Sequence, residues 1–120
     1  MKRVHRCANN RSFRISMNDE TRTENCEFIE EYNLTNSRQI EMLKSIKVED
    51  FSKAEPDDKD GSETVYFFGK DYELDHEERG PETITCYIKL VFKERKNDEL
   101  MLLISFHKAK WPIDYQFKNK

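Results

Sequence analysis

Side chains suited to acid–base and phosphate chemistry alternate with apolar residues in two segments, TITCYIKLVF and LMLLISFHKA. The first segment contains Tyr87 and Lys89, and the second contains Ser105 and His107. RNA is cleaved without a metal when its 2′-hydroxyl is deprotonated, its phosphate charge is neutralised and its leaving oxygen is protonated. Histidine is the usual acid or base near neutral pH, lysine stabilises charge at phosphorus, and tyrosine orients a phosphate or stacks on a base. The same alternation is typical of an ordinary solvated sheet face, and the pattern alone favours that interpretation.

The two segments predict a β-hairpin whose register decides whether these four side chains meet. Strand side chains alternate between the two faces, so a shift of one residue moves every side chain to the opposite face. The most apolar pairing requires a connection with an odd number of residues, and it places the four polar side chains on one face. A two-residue turn at Asn97–Asp98 would instead bury His107 among leucines. We therefore expect the core side of the hairpin to hold Ile84, Cys86, Ile88, Leu90, Phe92, Leu100, Leu102, Ile104 and Phe106.

Local patterns indicate the elements that must position this hairpin. SFRISM alternates as a short strand, NCEFIEEY and RQIEMLKSI have helical apolar stripes, and VEDFSK is typical of a helical turn that buries Val48 and Phe51. TVYFFGKDY predicts a strand that is broken or bulged near Gly69. The acidic stretches 54–63 and 73–82 have the composition of loops. This order predicts an α+β domain, with an N-terminal strand and two to three helices packed on one face of a mainly antiparallel, curved sheet.

The length of 120 residues predicts a single domain, residues 1–120. Residues 1–12 are interpreted as a basic N-terminal arm with no clear period. Residues 111–120 are interpreted as a C-terminal tail, in which Pro112 forbids a regular central strand. Although 38% of the residues are charged, the eight Phe, five Tyr and one Trp lie mostly in periodic segments, which favours a folded domain over a disordered chain.

Cysteine usage and hydropathy indicate a reducing cytoplasm. The three cysteines have no CxxC spacing, and no apolar run is long enough to span a membrane, so no membrane partner is expected. Cys86 lies among apolar positions and is predicted to be a small buried hydrophobe rather than a reactive thiol. No set of residues has convincing zinc-ligand spacing, and neither a metal nor a cofactor is predicted.

Charge is distributed unevenly along the chain. The net charge is −3, which argues weakly against nucleic acid as a partner. However, residues 1–15 hold five basic residues and no acid, and residues 83–120 hold eight bases and four acids. The middle of the chain is acidic. If both ends enter one sheet, that sheet can carry a positive face that attracts phosphates on an otherwise acidic protein.

Five short motifs occur in a fixed order: VEDF after a helix, then FGK, YIK and ISFH, then an aromatic-proline tail. They lie within LTNSRQIEMLKSIKVEDFSK, VYFFGKDYE, CYIKLVF and LLISFHKAKWPIDYQFK. In this order they resemble the MqsR-type toxins of bacterial type II toxin–antitoxin systems, over roughly Asn25 to Lys118. The resemblance implies a RelE-like α+β fold, ribosome-independent endoribonuclease cleavage of mRNA, and a cognate antitoxin protein as partner.

The resemblance also implies site residues. In that family a lysine after the Asp-Phe dipeptide, a tyrosine before Ile-Lys and a basic residue after Ser-Phe are implicated in catalysis. Here these positions hold Lys53, Tyr87 and His107, and Lys53 is expected where the helical turn meets a loop. The best-known members carry lysine in place of His107, and a glutamine of their VYFF strand has no match here. The predicted substrate-binding residues are Lys89, Lys70 and Ser105.

Two other classes of function compete with an RNA-cleaving enzyme. One is a non-catalytic RNA- or protein-binding module of the same fold, which needs the same positive face. The other is an acidic inhibitor or interaction protein whose contact surface is formed by the acidic stretches 57–60 and 75–78. The aromatic residues Trp111 and Tyr115 fit either lids over a core edge or platforms for base stacking.

Overall fold

The computed structural model describes residues 2–17, 23–56, 63–94, 96, 98–113 and 115. A five-stranded sheet has the order β1-β5-β4-β3-β2. The strand β1 runs parallel to β5, and the other neighbours are antiparallel. The predicted α+β class with helices on a mainly antiparallel sheet is confirmed. The elements are α1 (Lys2–Asn9), β1 (Phe13–Ile15), α2 (Thr23–Glu31), α3 (Asn36–Lys44), a 3₁₀ turn (Val48–Asp50), β2 (Phe51–Pro56), β3 (Thr64–His76), β4 (Gly80–Glu94) and β5 (Glu99–Lys108).

The helices α2 and α3 lie where their apolar stripes predict them. The hydroxyl of Thr35 accepts a hydrogen bond from the backbone N–H of Arg38 and so caps α3. Phe28 of α2 packs against Phe106 of β5, with ring centroids 5.7 Å apart. The core between helices and sheet includes Cys86, which is fully buried, and burial raises the pKa of its thiol. The prediction of a small buried hydrophobe at Cys86 is therefore confirmed.

The N-terminal segment is a helix, where the sequence predicted an arm with no clear period. Val4, Cys7 and Ala8 of α1 are buried against α3 and β5. The Nη2 atom of Arg3 lies 2.6 Å from an oxygen of Glu99, and Arg6 approaches the same carboxylate. The apolar spacing of three and four residues is helical, and the basic residues between these positions obscured it.

Strand β2 replaces most of a predicted turn and loop. The 3₁₀ turn ends at Asp50, and the chain then runs extended through Pro56 as an edge strand. Val48 was predicted to be buried but is 57% exposed, whereas Phe51 is half-buried against Phe68. Short apolar stretches do not distinguish a helical turn from a strand, and pairing with β3 decides the outcome here.

The hairpin of β3 and β4 is longer than the sequence predicted. Its pairing is continuous from Val65 opposite Val91 to His76 opposite Gly80, so the break predicted near Gly69 is wrong. Most of the acidic stretch 73–82, predicted to be a loop, lies in this hairpin, and its turn is short. The acidic residues 57–60 lie outside the described part of the chain.

Candidate functional site

The four polar side chains of the two C-terminal strands share one face of the sheet, as predicted. Tyr87 is directly opposite His107, and Lys89 is directly opposite Ser105. Directly opposed residues of antiparallel strands project to the same side. Their side is opposite to the helices, and we refer to it as the groove face.

The hairpin reaches this arrangement by a different route from the one predicted. Strand β4 ends at Glu94 and β5 begins opposite it at Glu99, so the connection, residues 95–98, has an even number of residues. A bulge at Ile104 then shifts the register by one residue between the turn and the site. Consequently Met101 and Leu103 occupy the core, and the prediction of Leu100, Leu102 and Ile104 as core residues is wrong.

Two transverse rows of side chains define the groove face. One row crosses β2, β3 and β4 as Lys53, Phe67 and Lys89. Both ammonium groups approach the Phe67 ring: the Nζ atoms of Lys53 and Lys89 lie 4.8 Å and 5.5 Å from its centroid. Such contacts stabilise a cation on an aromatic face. The ring therefore holds two positive charges from strands that are distant in sequence.

The second row places Tyr87 between Gly69 and His107. The Tyr87 and His107 rings have centroids 5.6 Å apart. The Nδ1 atom of His107 lies 3.0 Å from the carbonyl oxygen of Lys108. Because a carbonyl oxygen only accepts, Nδ1 donates in this contact, and in the neutral ring Nε2 then carries the free lone pair. That nitrogen can accept a proton.

The C-terminal segment closes these rows into a groove of about 410 Å³. Lys53, Tyr87 and His107 line the groove together with residues 109–113. Gly69 makes this crossing possible. A methyl group at Gly69 would overlap the side chain of Ile113 and would lie 2.8 Å from the hydroxyl oxygen of Tyr115.

Charges around the groove are partly balanced. Lys53 Nζ is 3.3 Å from a carboxylate oxygen of Glu55, and Lys110 Nζ is 2.6 Å from one of Glu24. The second pair joins the C-terminal segment to the first turn of α2. Burial raises the pKa of Tyr87, with a smaller contribution from the charge of Glu55. Tyr87 is thus a neutral phenol near pH 7, able to donate a hydrogen bond.

The two remaining predicted substrate-binding residues, Ser105 and Lys70, are not placed like Lys89. Ser105 is on the groove face but is only 8% exposed, so little of it is open to a ligand. Lys70 is directly opposite Cys86 and therefore points to the helix side. Its Nζ atom lies 3.2 Å from Asp50, whose carboxylate also accepts from the backbone N–H of Lys47. Lys70 anchors the turn before β2, and the structure does not bring it to the groove.

Aromatic residues divide between the groove and its rim. Trp111 is 80% exposed at the edge of the groove, which does not fit a lid over the core. Tyr115 lies against Gly69, and burial raises its pKa. Sequence reasoning overlooked Phe67 and Lys110 as groove residues. Phe67 was detectable, because it shares a strand face with its neighbour two residues away, Gly69.

Comparison of the chain with protein-family models, with curated proteins and with solved structures found no match. No helix in the described ranges is long and apolar enough to cross a membrane. Within those same ranges, no three His, Cys, Asp or Glu side chains cluster in a way suited to a metal ion.

Proposed function

We propose that this protein is a metal-independent endoribonuclease that cleaves single-stranded mRNA by attack of the 2′-hydroxyl on the adjacent phosphate. The observation that carries the proposal is the convergence of His107, Tyr87 and Lys53 on one groove. These three side chains come from three different strands, and they supply a proton acceptor, a hydrogen-bond donor and a cation. This is the set of groups that the reaction requires.

Each group has a role in the proposed reaction. The Nε2 atom of His107 takes the proton of the 2′-hydroxyl while the 2′-oxygen bonds to phosphorus. The bond from phosphorus to the 5′-oxygen breaks, and the Lys53 ammonium protonates that oxygen. The products are a 2′,3′-cyclic phosphate and a 5′-hydroxyl. Tyr87 donates a hydrogen bond to the phosphate, and Lys89 offsets its charge across the Phe67 ring.

The exposed face of Trp111 supports a single-stranded substrate. Every nucleobase has a face that stacks on an aromatic ring, whereas paired bases in a duplex present only their edges. Trp111 stands at the groove rim beside Lys110, so a base stacked there would place its phosphate near a cation. Trp111 is the sole tryptophan, and its fluorescence reports binding directly.

We further propose that the protein acts in the cytoplasm as the toxin of a type II toxin–antitoxin pair. The support is the resemblance of the ordered motifs to MqsR-type toxins, together with the position of Lys53, Tyr87 and His107 around one groove. A cognate antitoxin that covered this groove would block the RNA. Induction of the wild-type protein should then arrest growth, and His107→Ala should not.

The test uses a short fluorescent RNA that contains all dinucleotides, in buffer with EDTA. We expect cleavage by the wild type to give 2′,3′-cyclic phosphate ends, and no cleavage of the same sequence as DNA. His107→Ala should lose activity. The matched control is His76→Ala, which changes a histidine next to Tyr32 and Glu31, away from the groove. Loss of cleavage on chelation that magnesium restores would contradict the proposal.

A non-catalytic binding module of the same fold is the second candidate. It requires no proton transfer, and it is favoured by the ion pair of Lys53 with Glu55, which occupies the group that would protonate the leaving oxygen. The two candidates differ in one result. Quenching of Trp111 fluorescence by RNA that stays intact indicates a binding module.

A further inference from the structure

Asn25 is a fully buried polar residue in α2, and each hydrogen bond of its side chain goes to the backbone of a segment outside α2. Its Nδ2 atom donates to the carbonyl of Ser16 at 2.8 Å and to the carbonyl of Ile104 at 3.0 Å. Its Oδ1 atom accepts from the backbone N–H of Phe106 at 2.9 Å. Two of these three bonds lie at the β5 bulge.

The bulge needs such a partner because no strand among the described residues pairs with β5 on that side of the bulge. Strand β1 pairs with β5 only as far as Leu103. Beyond that point, the carbonyl of Ile104 and the N–H of Phe106 bond to the side chain of Asn25 instead of to a strand. A carboxamide carries the same donor and acceptor as a peptide group, so it can take the place of the missing strand. Buried backbone groups that lack a partner are strongly disfavoured.

The bulge also decides which way the candidate catalytic residue faces. Near the turn, Leu90 is opposite Leu103, and a regular continuation of that pairing would bring His107 opposite Cys86. Cys86 lies in the core on the helix side. With the bulge, His107 is opposite Tyr87 on the groove face. The single extra residue in β5 therefore determines whether the imidazole of His107 is buried in the core or lines the groove.

We propose that Asn25 is a positioning residue: its side chain selects the bulged register of β5 and thereby turns Ser105 and His107 to the groove face. This register does not depend on whether the groove cleaves RNA. Asn25 touches neither His107 nor the groove in the contacts described above, so its effect on the site passes through the backbone of Ile104 and Phe106.

A thiol at position 107 reports the register without any RNA. In a Tyr87→Cys/His107→Cys background, the thiol at position 107 is opposite the thiol at position 87 when β5 is bulged. When β5 is regular, it is opposite Cys86 instead, so the disulfide that forms identifies the register. We expect oxidation to link 107 to 87 when Asn25 is present. Asn25→Leu and Asn25→Asp should shift the ratio of the two disulfides toward Cys86 by at least about tenfold, which corresponds to about 1.4 kcal/mol. Fragmentation mass spectrometry distinguishes the two links.

The control is Gln39→Leu in the same background. Gln39 is the other buried amide in the described part of the chain, and its side chain donates to the carbonyl of Leu34 at 2.8 Å, away from β5. The Gln39→Leu substitution should leave the disulfide ratio unchanged. An unchanged ratio in folded Asn25→Leu protein would overturn the proposal.

Deletion of Ile104 supplies an independent test. It removes the extra residue, so β5 becomes regular while position 107 stays opposite Tyr87. In the full-length chain we expect Asn25→Leu to lower the melting temperature by roughly 5–10 °C. In the deletion background the drop should be less than half as large, because the bulge that Asn25 supports is gone. An equal drop in both backgrounds would mean that Asn25 merely anchors α2. If the deletion prevents folding, the disulfide ratio alone decides.

Discussion

His107 combines the two properties that a proton-transfer group needs, access to the groove and a defined ring nitrogen. Its Nδ1 atom is engaged by the Lys108 carbonyl, which leaves Nε2 for a substrate. Its ring is braced by Tyr87 on the adjacent strand. In the proposed reaction, Nε2 is therefore the atom of His107 that accepts the proton.

The first prediction compares His107→Ala with His107→Lys. Loss of the imidazole should lower the cleavage rate on the order of 10²–10⁴-fold, the usual contribution of one acid–base group. Lysine should retain part of the activity, with a pH profile moved to alkaline pH because its ordinary pKa is higher. Initial rates on one RNA at several pH values test this. If both variants cleave as fast as the wild type at every pH, His107 has no role in the reaction.

Between elements, the groove exists because one glycine lets the C-terminal segment cross the sheet. Ile113 and Tyr115 occupy the space that a side chain at position 69 would need. The pair of Lys110 with Glu24 joins the same segment to α2. The wall of the groove is thus set by packing between β3, α2 and a segment without regular structure.

The second prediction compares two glycines. Gly69→Ala should displace residues 109–113 and weaken RNA binding roughly tenfold, or about 1.4 kcal/mol. Gly80→Ala is the matched control: Gly80 has φ of +79°, and a Cβ at this position would lie in open space. It should cost about 1 kcal/mol of stability through backbone strain and leave RNA affinity unchanged. Titration of Trp111 fluorescence and urea unfolding measure the two effects. Equal RNA affinity in Gly69→Ala and wild type would contradict the assigned role of Gly69.

A second contact between elements makes stability depend on pH. Glu82 of β4 accepts hydrogen bonds from Arg79, at 2.8 Å, and from the hydroxyl of Tyr32 on α2, also at 2.8 Å. These bonds lower the pKa of Glu82 from 4.5 to about 2. Because the pKa is depressed in the folded state, the contribution to stability is complete above the ordinary pKa and is lost as the pH falls toward 2.

The third prediction follows from this loss of stability at low pH. Glu82→Gln should lower the urea midpoint at pH 7, and the difference from wild type should shrink below pH 4.5 and vanish near pH 2. Glu41→Gln, which removes an exposed partner of Arg38, should show little effect at any pH. A difference between Glu82→Gln and wild type that grows toward low pH would refute the assignment.

For the whole molecule, the local arrangement of charged side chains affects the attraction of a phosphate more than the net charge does. The net charge is −3, yet the ammonium groups of Lys53 and Lys89 both approach one aromatic ring on the groove face. Lys70, by contrast, is held on the helix side by Asp50. An acidic protein can therefore attract a phosphate at one place on its surface.

The fourth prediction concerns salt. Lys53→Ala and Lys89→Ala should each weaken binding of a non-cleavable RNA and reduce the slope of log affinity against log salt by about 0.7, the value for one phosphate contact on a single strand. Lys70→Ala should leave the slope unchanged while lowering stability, because it leaves the buried Asp50 without its cation. Titrations of Trp111 fluorescence at several salt concentrations measure the slope. A smaller slope in Lys70→Ala than in Lys53→Ala would place the phosphate on the other face.

The sequence by itself determined the features that depend on local periodicity and capping. Alternation placed Tyr87 and Lys89 on one strand face, and apolar stripes predicted the helices α2 and α3. It also indicated the α+β class, because helical and strand periods alternate along the chain in a recognisable order. These features follow from interactions between residues that are near neighbours in sequence.

Only the tertiary structure decided how the strands meet. The sequence predicted the correct sheet face for His107, but on the assumption of a β4–β5 connection with an odd number of residues. In the structure the connection has an even number, and the bulge at Ile104 turns His107 to that face. Strand β2 and the position of Lys53 depend on pairing with β3, and Lys70 depends on a buried partner twenty residues away, Asp50. The physical reason is that register, bulges and ion pairs are selected by backbone hydrogen bonds and burial between distant segments. A side-chain amide such as that of Asn25 leaves no periodic trace in the sequence of the strand whose register it supports.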